Sequence, residues 1–259
     1  ELYDIPIKFT APKNIKIFWH LHDPIADGYS KAFFTRKLLI KLQYKIFSKN
    51  VKLITCSKKH GDFAKKLGFL TKNIYYVPNG LDCEKIKRVK KNRNKREFLM
   101  FCWDYYRKGG DIAIKAADNI YLKRSDFSLQ FIPDNIPIER KYLIKHKPVR
   151  DINTLFKDTG AFLHLSRSEG LSYALLEAVY SGLPVICSDI PENLPVKDCP
   201  TVKFIKNENV FEVIKQMMIL LDSNFYLSKE DVDTSRNFIE KFFSIDSWVN
   251  NIMEIYFME

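Results

Sequence analysis

Residues 166–184 read SRSEGLSYALLEAVYSGLP, and how this stretch is taken decides the fold. AFLHLS (161–166) runs into it as an apolar strand, SYALLEAVYSG (172–182) reads as a helix, and LPVICS (183–188) is the next strand. Strand, helix and strand in that order predict a parallel βαβ unit. Within it, Glu177 is the sole Asp, Glu, Lys, Arg or His between Gly170 and Ser188. A lone carboxylate is costly to bury unless a partner compensates it. A second carboxylate, Glu169, stands eight positions earlier, just before Gly170.

The same alternation extends in both directions. Before it come strand IKIFWHL (15–21), a helix over 31–49, strand VKLITCS, helix KKHGDFAKKLG and strand IYYVPNG. Asn79-Gly80 marks a turn, and the basic run KIKRVKKNRNKR (85–96) reads as a connector. A second unit follows: strand FLMFCW (98–103), turn DYYRKGG, helix DIAIKAADNIYLKR, strand FSLQFI, helix PIERKYLIKH, short strand PV and helix NTLFKD. After residue 188 come strand TVKFI, helices near 208–222 and 229–242, and a terminal helix from about Asp246 to Phe257. The expected architecture is α/β with mostly parallel sheets. Its parts are a partial first domain (1–84), a basic linker (85–96), a second domain (97–242) and a closing segment (243–259). Ligands of such sheets sit outside the carboxyl ends of the strands, which singles out the RKGG and SRSEG turns.

Composition narrows the class. The chain has 259 residues, 46% apolar and 28% charged, as in a soluble globular protein with a real core. Five scattered cysteines without a CxxC pair read as reduced residues rather than a disulfide frame or zinc site. No apolar run approaches a membrane span and no secretory signal pattern opens the chain, so a cytoplasmic location is expected. The chain starts on Glu1 rather than Met, as a fragment or a processed chain would. The net charge of +11 is uneven: residues 1–100 hold 23 Lys and Arg against 8 Asp and Glu, and the rest hold 19 against 23. A basic first part suggests an anionic partner such as nucleic acid, acidic phospholipid or a phosphorylated ligand. No nucleic-acid-binding motif is present, so nucleic acid is not expected.

The helix over 31–49 places Phe34, Leu38, Leu42 and Ile46 at helical spacing, with Lys37, Lys41, Lys45 and Lys49 on another face. Two readings stand: a solvated amphipathic helix, or a docking surface for anionic lipid headgroups at the inner membrane face. Phe33 and Phe34 beside Lys31, Arg36 and Lys37 support the second.

At the SRSEG turn, the amides of Gly170, Leu171 and Ser172 stand at a helix start, where the dipole is positive and an anion is favoured. Glu169 there accepts from hydroxyls, and Glu177 lies two turns on, roughly on the same face. A diphosphate flanked by two carboxylates that bind vicinal diols suits a nucleotide sugar. The plainer reading is that Glu169 favours the helix dipole and Glu177 is merely exposed, although the apolar neighbours of Glu177 weigh against that.

SRSEGLSYALLEAVYSGLPVICSD resembles the donor-binding E-x7-E segment of the retaining GT-B glycosyltransferases of group 1, also called family 4. WHLHDP, LITCS with VPNGLD, RKGGDIAIKAA and FSIDSWVNNIMEIY resemble further family motifs in the same order, from about residue 15 to the end. The resemblance implies two Rossmann-like domains with the donor in the cleft, the first domain incomplete and without the family's glycine-rich loop, and the closing helix crossing back to it. It implies transfer of a hexose from a UDP- or GDP-sugar, with retention, to a glycan or lipid-linked acceptor in surface polysaccharide synthesis. Glu177 would bind the ribose hydroxyls and Glu169 the transferred sugar, within a segment that includes Ser168 and Ser172. The amides of Gly170 and Leu171 would help hold sugar and diphosphate. Lys108 would neutralise the leaving diphosphate, and His22 would contact the donor sugar near the reaction centre. The family's usual Arg before that Lys is here Trp103, with Arg107 the candidate substitute. No metal or other cofactor is implied. The alternative is a degenerate, non-catalytic nucleotide-sugar-binding module.

Overall fold

The computed structural model describes residues 15–21, 29–30, 32–89 and 96–258. His22, Lys31 and the centre of the basic run (90–95) lie outside the described residues. The chain divides into two compact units, Glu1–Asn79 with Trp248–Glu259, and Gly80–Ser247.

The first unit holds β1 (Ile17–Leu21), α1 (Phe34–Phe47), β2 (Val51–Thr55), α2 (Lys58–Lys66) and β3 (Ile74–Tyr76). The three strands are parallel in the order β1-β2-β3, so β1 ends the described sheet. Side chains alternate across a strand, and both faces are packed. Leu21, Leu53 and Val51 meet Tyr44, Phe47 and Ala64 on one side. Ile54 and Val77 meet Ile252 and Ile255 on the other.

The sequence predicts Phe34, Leu38 and Leu42 as one apolar stripe of α1. The structure turns a different face inward, that of Gln43, Tyr44 and Phe47. Phe34 is 81% exposed, and Leu38 and Leu42 are exposed as well. The rings of Tyr44 and Phe47 lie 5.1 and 5.4 Å from Trp19. Two aromatic rings packed against the Trp19 indole favour this inward face.

The second unit carries β4 (Glu97–Phe101), α3 (Gly110–Tyr121), β5 (Ser128–Ile132), β6 (Leu143–Lys145), α4 (Asn153–Phe156), β7 (Ala161–His164), α5 (Tyr173–Ser181), β8 (Val185–Ser188), β9 (Val202–Ile205), α6 (Val210–Asp222) and α7 (Lys229–Phe243). The last helix, α8 (Ile245–Phe257), passes into the first unit at Trp248. The six strands are all parallel in the order β6-β5-β4-β7-β8-β9. This is the doubly wound Rossmann order, and the strand sequence reverses between β4 and β7.

Two expectations of secondary structure change here: the short strand expected at 148–149 is irregular chain, and one expected helix is a strand. The segment 137–146 is not a helix. Its apolar residues instead form β6, where Leu143 pairs with Leu129 of β5. Pairing at a sheet edge outweighs the helical propensity of so short a stretch. The units divide between Asn79 and Gly80, and residues 85–89 are grouped with the second unit. The Lys87 amide donates to Asn153 Oδ1 at 2.8 Å and the Val89 amide to the Ser181 carbonyl at 2.9 Å.

Gly182 ends α5 with φ +87°, and the Leu183 amide reaches back to the Ala178 carbonyl at 3.1 Å. That left-handed C-cap suits glycine, and Pro184 follows to start the path into β8.

Candidate functional site

The switch point between β4 and β7 is lined by the two turns that follow those strands. Their close approach depends on Gly109. It holds φ +78° at the N-cap of α3, and a Cβ there would collide with the Leu165 carbonyl just after β7. The Arg167 amide donates to the Arg107 carbonyl at 2.8 Å, which ties the turns together. Arg167 also grips Asp111 at 2.8 and 3.0 Å and stacks its guanidinium 3.8 Å over the Tyr106 ring. On the far side, Ser188 Oγ donates to the Ser166 carbonyl at 2.6 Å, and Asn193 Nδ2 donates to the Ser188 carbonyl at 3.0 Å.

This frame brings Lys108 and Glu169 together. Lys108 Nζ donates to Glu169 Oε1 at 2.5 Å, and the Glu169 side chain is only 8% exposed. Arg107 Nη1 reaches the Ser168 carbonyl at 3.2 Å and Glu169 Oε2 at 3.5 Å, while its Nε meets Asp104 at 3.3 Å. His164, at the end of β7, stands 4.0 Å from Glu169 Oε1. Burial pushes its imidazole down to about 4, so it is neutral at pH 7. Burial alone would raise the Glu169 carboxyl. Neighbouring charge from His164 when protonated and from Lys108, with the hydrogen bond from Lys108, outweighs it and holds Glu169 below its ordinary range. At neutral pH the compensating charge is therefore chiefly that of Lys108, with Arg107 at 3.5 Å beside it.

Ser172 is the N-cap of α5, but its side chain makes no capping bond. By contrast Asn209 and Ser228 accept from the third residue of α6 and α7. Gly170 and Leu171 form the bend immediately before this open helix start, where the dipole favours an anion.

Glu177 stands apart from the ion-paired group. It is half-buried, burial alone raises its carboxyl above the ordinary range, and no charge or hydrogen bond among the described residues offsets that. It lines a cavity of about 200 Å³ with Phe101, Trp103, Ile132, Val149 and Arg150. So Arg107, Lys108, Ser168 and Glu169 form one charged cluster, Gly170, Leu171 and Ser172 lead from it into α5, and Glu177 sits in a separate cavity whose lining mixes apolar side chains with the charged Arg150.

Sequence reasoning reads His164 as structural or exposed and does not single out Arg167, whereas the structure buries His164 beside Glu169. Arg167 shows no distinctive spacing, since its partner Asp111 is 56 positions away. For His164, the one available signal was its place at the end of the strand feeding the turn. Among the described residues no group of three or more His, Cys, Asp and Glu is placed to hold a metal ion.

Residues 138–233, which include Glu169 and Glu177, match the family model described as Glycosyl transferases group 1. Glycosyltransferase 1 domain-containing protein 1 of Xenopus tropicalis is 43% identical over 56 residues, a match that spans 22% of this chain and 16% of that protein. Among solved structures, Anabaena HepE in complex with UDP and glucose aligns with a TM-score of 0.76 at 14% identity, covering 92% of this chain and 70% of that one. Sucrose-phosphate synthase from Thermosynechococcus elongatus aligns at 0.78 and 12% identity, covering 98% and 70%. TarM of S. aureus aligns at 0.77 and 16% identity, covering 99% of this chain and 53% of its own. At such identities the likeness is one of fold: GT-B, two Rossmann-like units with parallel sheets, the first of them incomplete.

Proposed function

We propose that this chain serves a glycosyltransferase that moves a hexose, with retention of configuration, from a nucleotide-diphosphate sugar to a glycan or lipid-linked acceptor in surface polysaccharide synthesis. The observation that carries the reading is the uncompensated Glu177 carboxylate in a cavity at the switch point of a Rossmann sheet, next to the Lys108–Glu169 pair. A ribose diol supplies the hydrogen bonds that none of the described residues gives Glu177. Support comes from the group 1 match across this segment and from the UDP-glucose found in the HepE neighbour, which favours UDP over GDP.

In this reading Glu177 holds the ribose and Glu169 the hydroxyls of the transferred sugar. The amides at Gly170, Leu171 and Ser172, with Ser168 beside them, cradle sugar and diphosphate. Lys108, with Arg107, turns its charge on the diphosphate as the sugar departs, and a fixed charge is most effective where negative charge develops. That makes a metal ion unnecessary for this step. The departing phosphate oxygen takes the acceptor's proton as the new glycosidic bond forms on the same face. His22, outside the described residues, is assigned to the sugar near that centre. Calorimetry with UDP and GDP tests the donor assignment, and binding of neither sinks it. A second reading, binding without transfer, is favoured by the closure of Lys108 on Glu169. It predicts nucleotide binding with no donor hydrolysis or transfer.

The proposal extends to a cytoplasmic protein that docks peripherally on an anionic membrane. Among the described residues no helix is long and apolar enough to cross a membrane. On α1, Phe34, Leu38 and Leu42 are exposed alongside Arg36, Lys41 and Lys45, with Phe33 just before the helix. Apolar residues flanked by cations suit the headgroup region of an anionic bilayer. In sedimentation with vesicles of phosphatidylglycerol and phosphatidylcholine, Phe33→Ser with Phe34→Ser is expected to lower bound protein at least fivefold. Equal binding by the variant, or by the wild type to phosphatidylcholine alone, would refute the docking surface.

A further inference from the structure

The cavity beside Glu177 contains an exposed tryptophan that the donor reading leaves without a task. Trp103 directly follows β4 by two residues, is 59% exposed and lines the cavity with Phe101, Ile132, Val149, Arg150 and Glu177. It makes no ring contact, hydrogen bond or ion pair with the described residues. Exposing a large indole beside a cavity forgoes burial that folding would otherwise gain, and such surface commonly marks a binding site.

We propose that Trp103 is the aromatic platform on which the donor's nucleobase stacks. The inference rests on the ribose assignment of Glu177. If Glu177 holds the ribose, the nucleotide leaves that point in two directions. The diphosphate and sugar run toward Lys108 and Glu169, neither of which lines this cavity. The part that remains attached to the ribose and enters the cavity is the base. A flat, apolar-faced ring meets there an indole face and the side chains of Phe101, Ile132 and Val149. The position two residues after β4 thus serves the base rather than the phosphates, which are left to Lys108 and Arg107.

The sequence offers a direct readout, because Trp103 is the one tryptophan of the second unit, Trp19 and Trp248 lying in the first. Calorimetry with UDP and GDP on the wild type, Trp103→Ala and Trp103→Phe is the test, with inorganic pyrophosphate as a ligand that has no base. Stacking on an aromatic side chain predicts that Trp103→Ala loses about tenfold to a hundredfold in nucleotide affinity. Pyrophosphate affinity should stay unchanged, and Trp103→Phe should remain within about fivefold of the wild type. Indole fluorescence in a Trp19→Phe, Trp248→Phe background should be quenched by saturating UDP. If the wild type binds UDP or GDP but Trp103→Ala binds it equally well, or loses pyrophosphate to the same degree, the platform is wrong and the donor reading survives. If the wild type binds neither nucleotide, both fall together.

Discussion

Glu177→Ala is expected to lower UDP affinity roughly a hundredfold while leaving the protein as stable as before or more so. The two effects have one origin. In the free protein the carboxylate is half-buried, and no charge or hydrogen bond among the described residues offsets its desolvation. A ribose diol gives it two charge-assisted hydrogen bonds, each worth about 1.5 kcal/mol or more, and their loss corresponds to a factor of about a hundred. Stability moves the other way. Burial raises the folded-state value of Glu177 above the ordinary 4.5, so in the interval between the two the folded chain binds more protons than the unfolded one. Stability attributable to this group therefore falls as pH rises through that interval. Glu177→Gln should match or exceed the wild-type Tm at pH 7, with the difference closing below pH 4.5. UDP affinity of the wild type should weaken as pH falls through the raised value, and the Gln variant should lack that dependence. Calorimetry and thermal melts on the same samples check both halves. Unchanged affinity in Glu177→Ala would remove the ribose assignment.

How far this site was readable beforehand differs from residue to residue. The alternation of strands and helices across the second unit is written in local apolar runs, and the turns RKGG and SRSEG follow from where strands end. Glu177 stood out because a single charge in an apolar stretch contrasts with its own neighbours. What local pattern does not contain is which charges meet. Lys108 and Glu169 are 61 positions apart and come together only because β4 and β7 are adjacent strands at the switch point. The rotation of α1 was illegible for a similar reason, since its inward face is chosen by Trp19 on another element. Segment 137–146 read as a helix because its gain from pairing with β5 is a long-range one.

Lys108→Ala is expected to cut kcat about a hundred- to a thousandfold, the loss typical of removing one group aimed at developing charge. The variant carries a second defect that must be separated from the first. Taking one partner from a buried ion pair leaves the other charge uncompensated and costs about 3–5 kcal/mol. Glu169, only 8% exposed, would keep only the longer contact to Arg107 at 3.5 Å, so Lys108→Ala alone should melt below the wild type. Adding Glu169→Gln removes the stranded carboxylate, and Lys108→Met with Glu169→Gln should recover most of the stability without recovering turnover. The pH dependence has the opposite sign to that of Glu177. Glu169 is held below its ordinary value of 4.5 in the folded chain, so its contribution is fully present above that value and is lost as pH falls through the lowered one. In Lys108→Met with Glu169→Gln that acid-side loss should be reduced. Melts from pH 3 to 7 with steady-state transfer assays would establish the separation, and a double variant that regained activity along with stability would show that Lys108 holds the loop rather than the departing diphosphate.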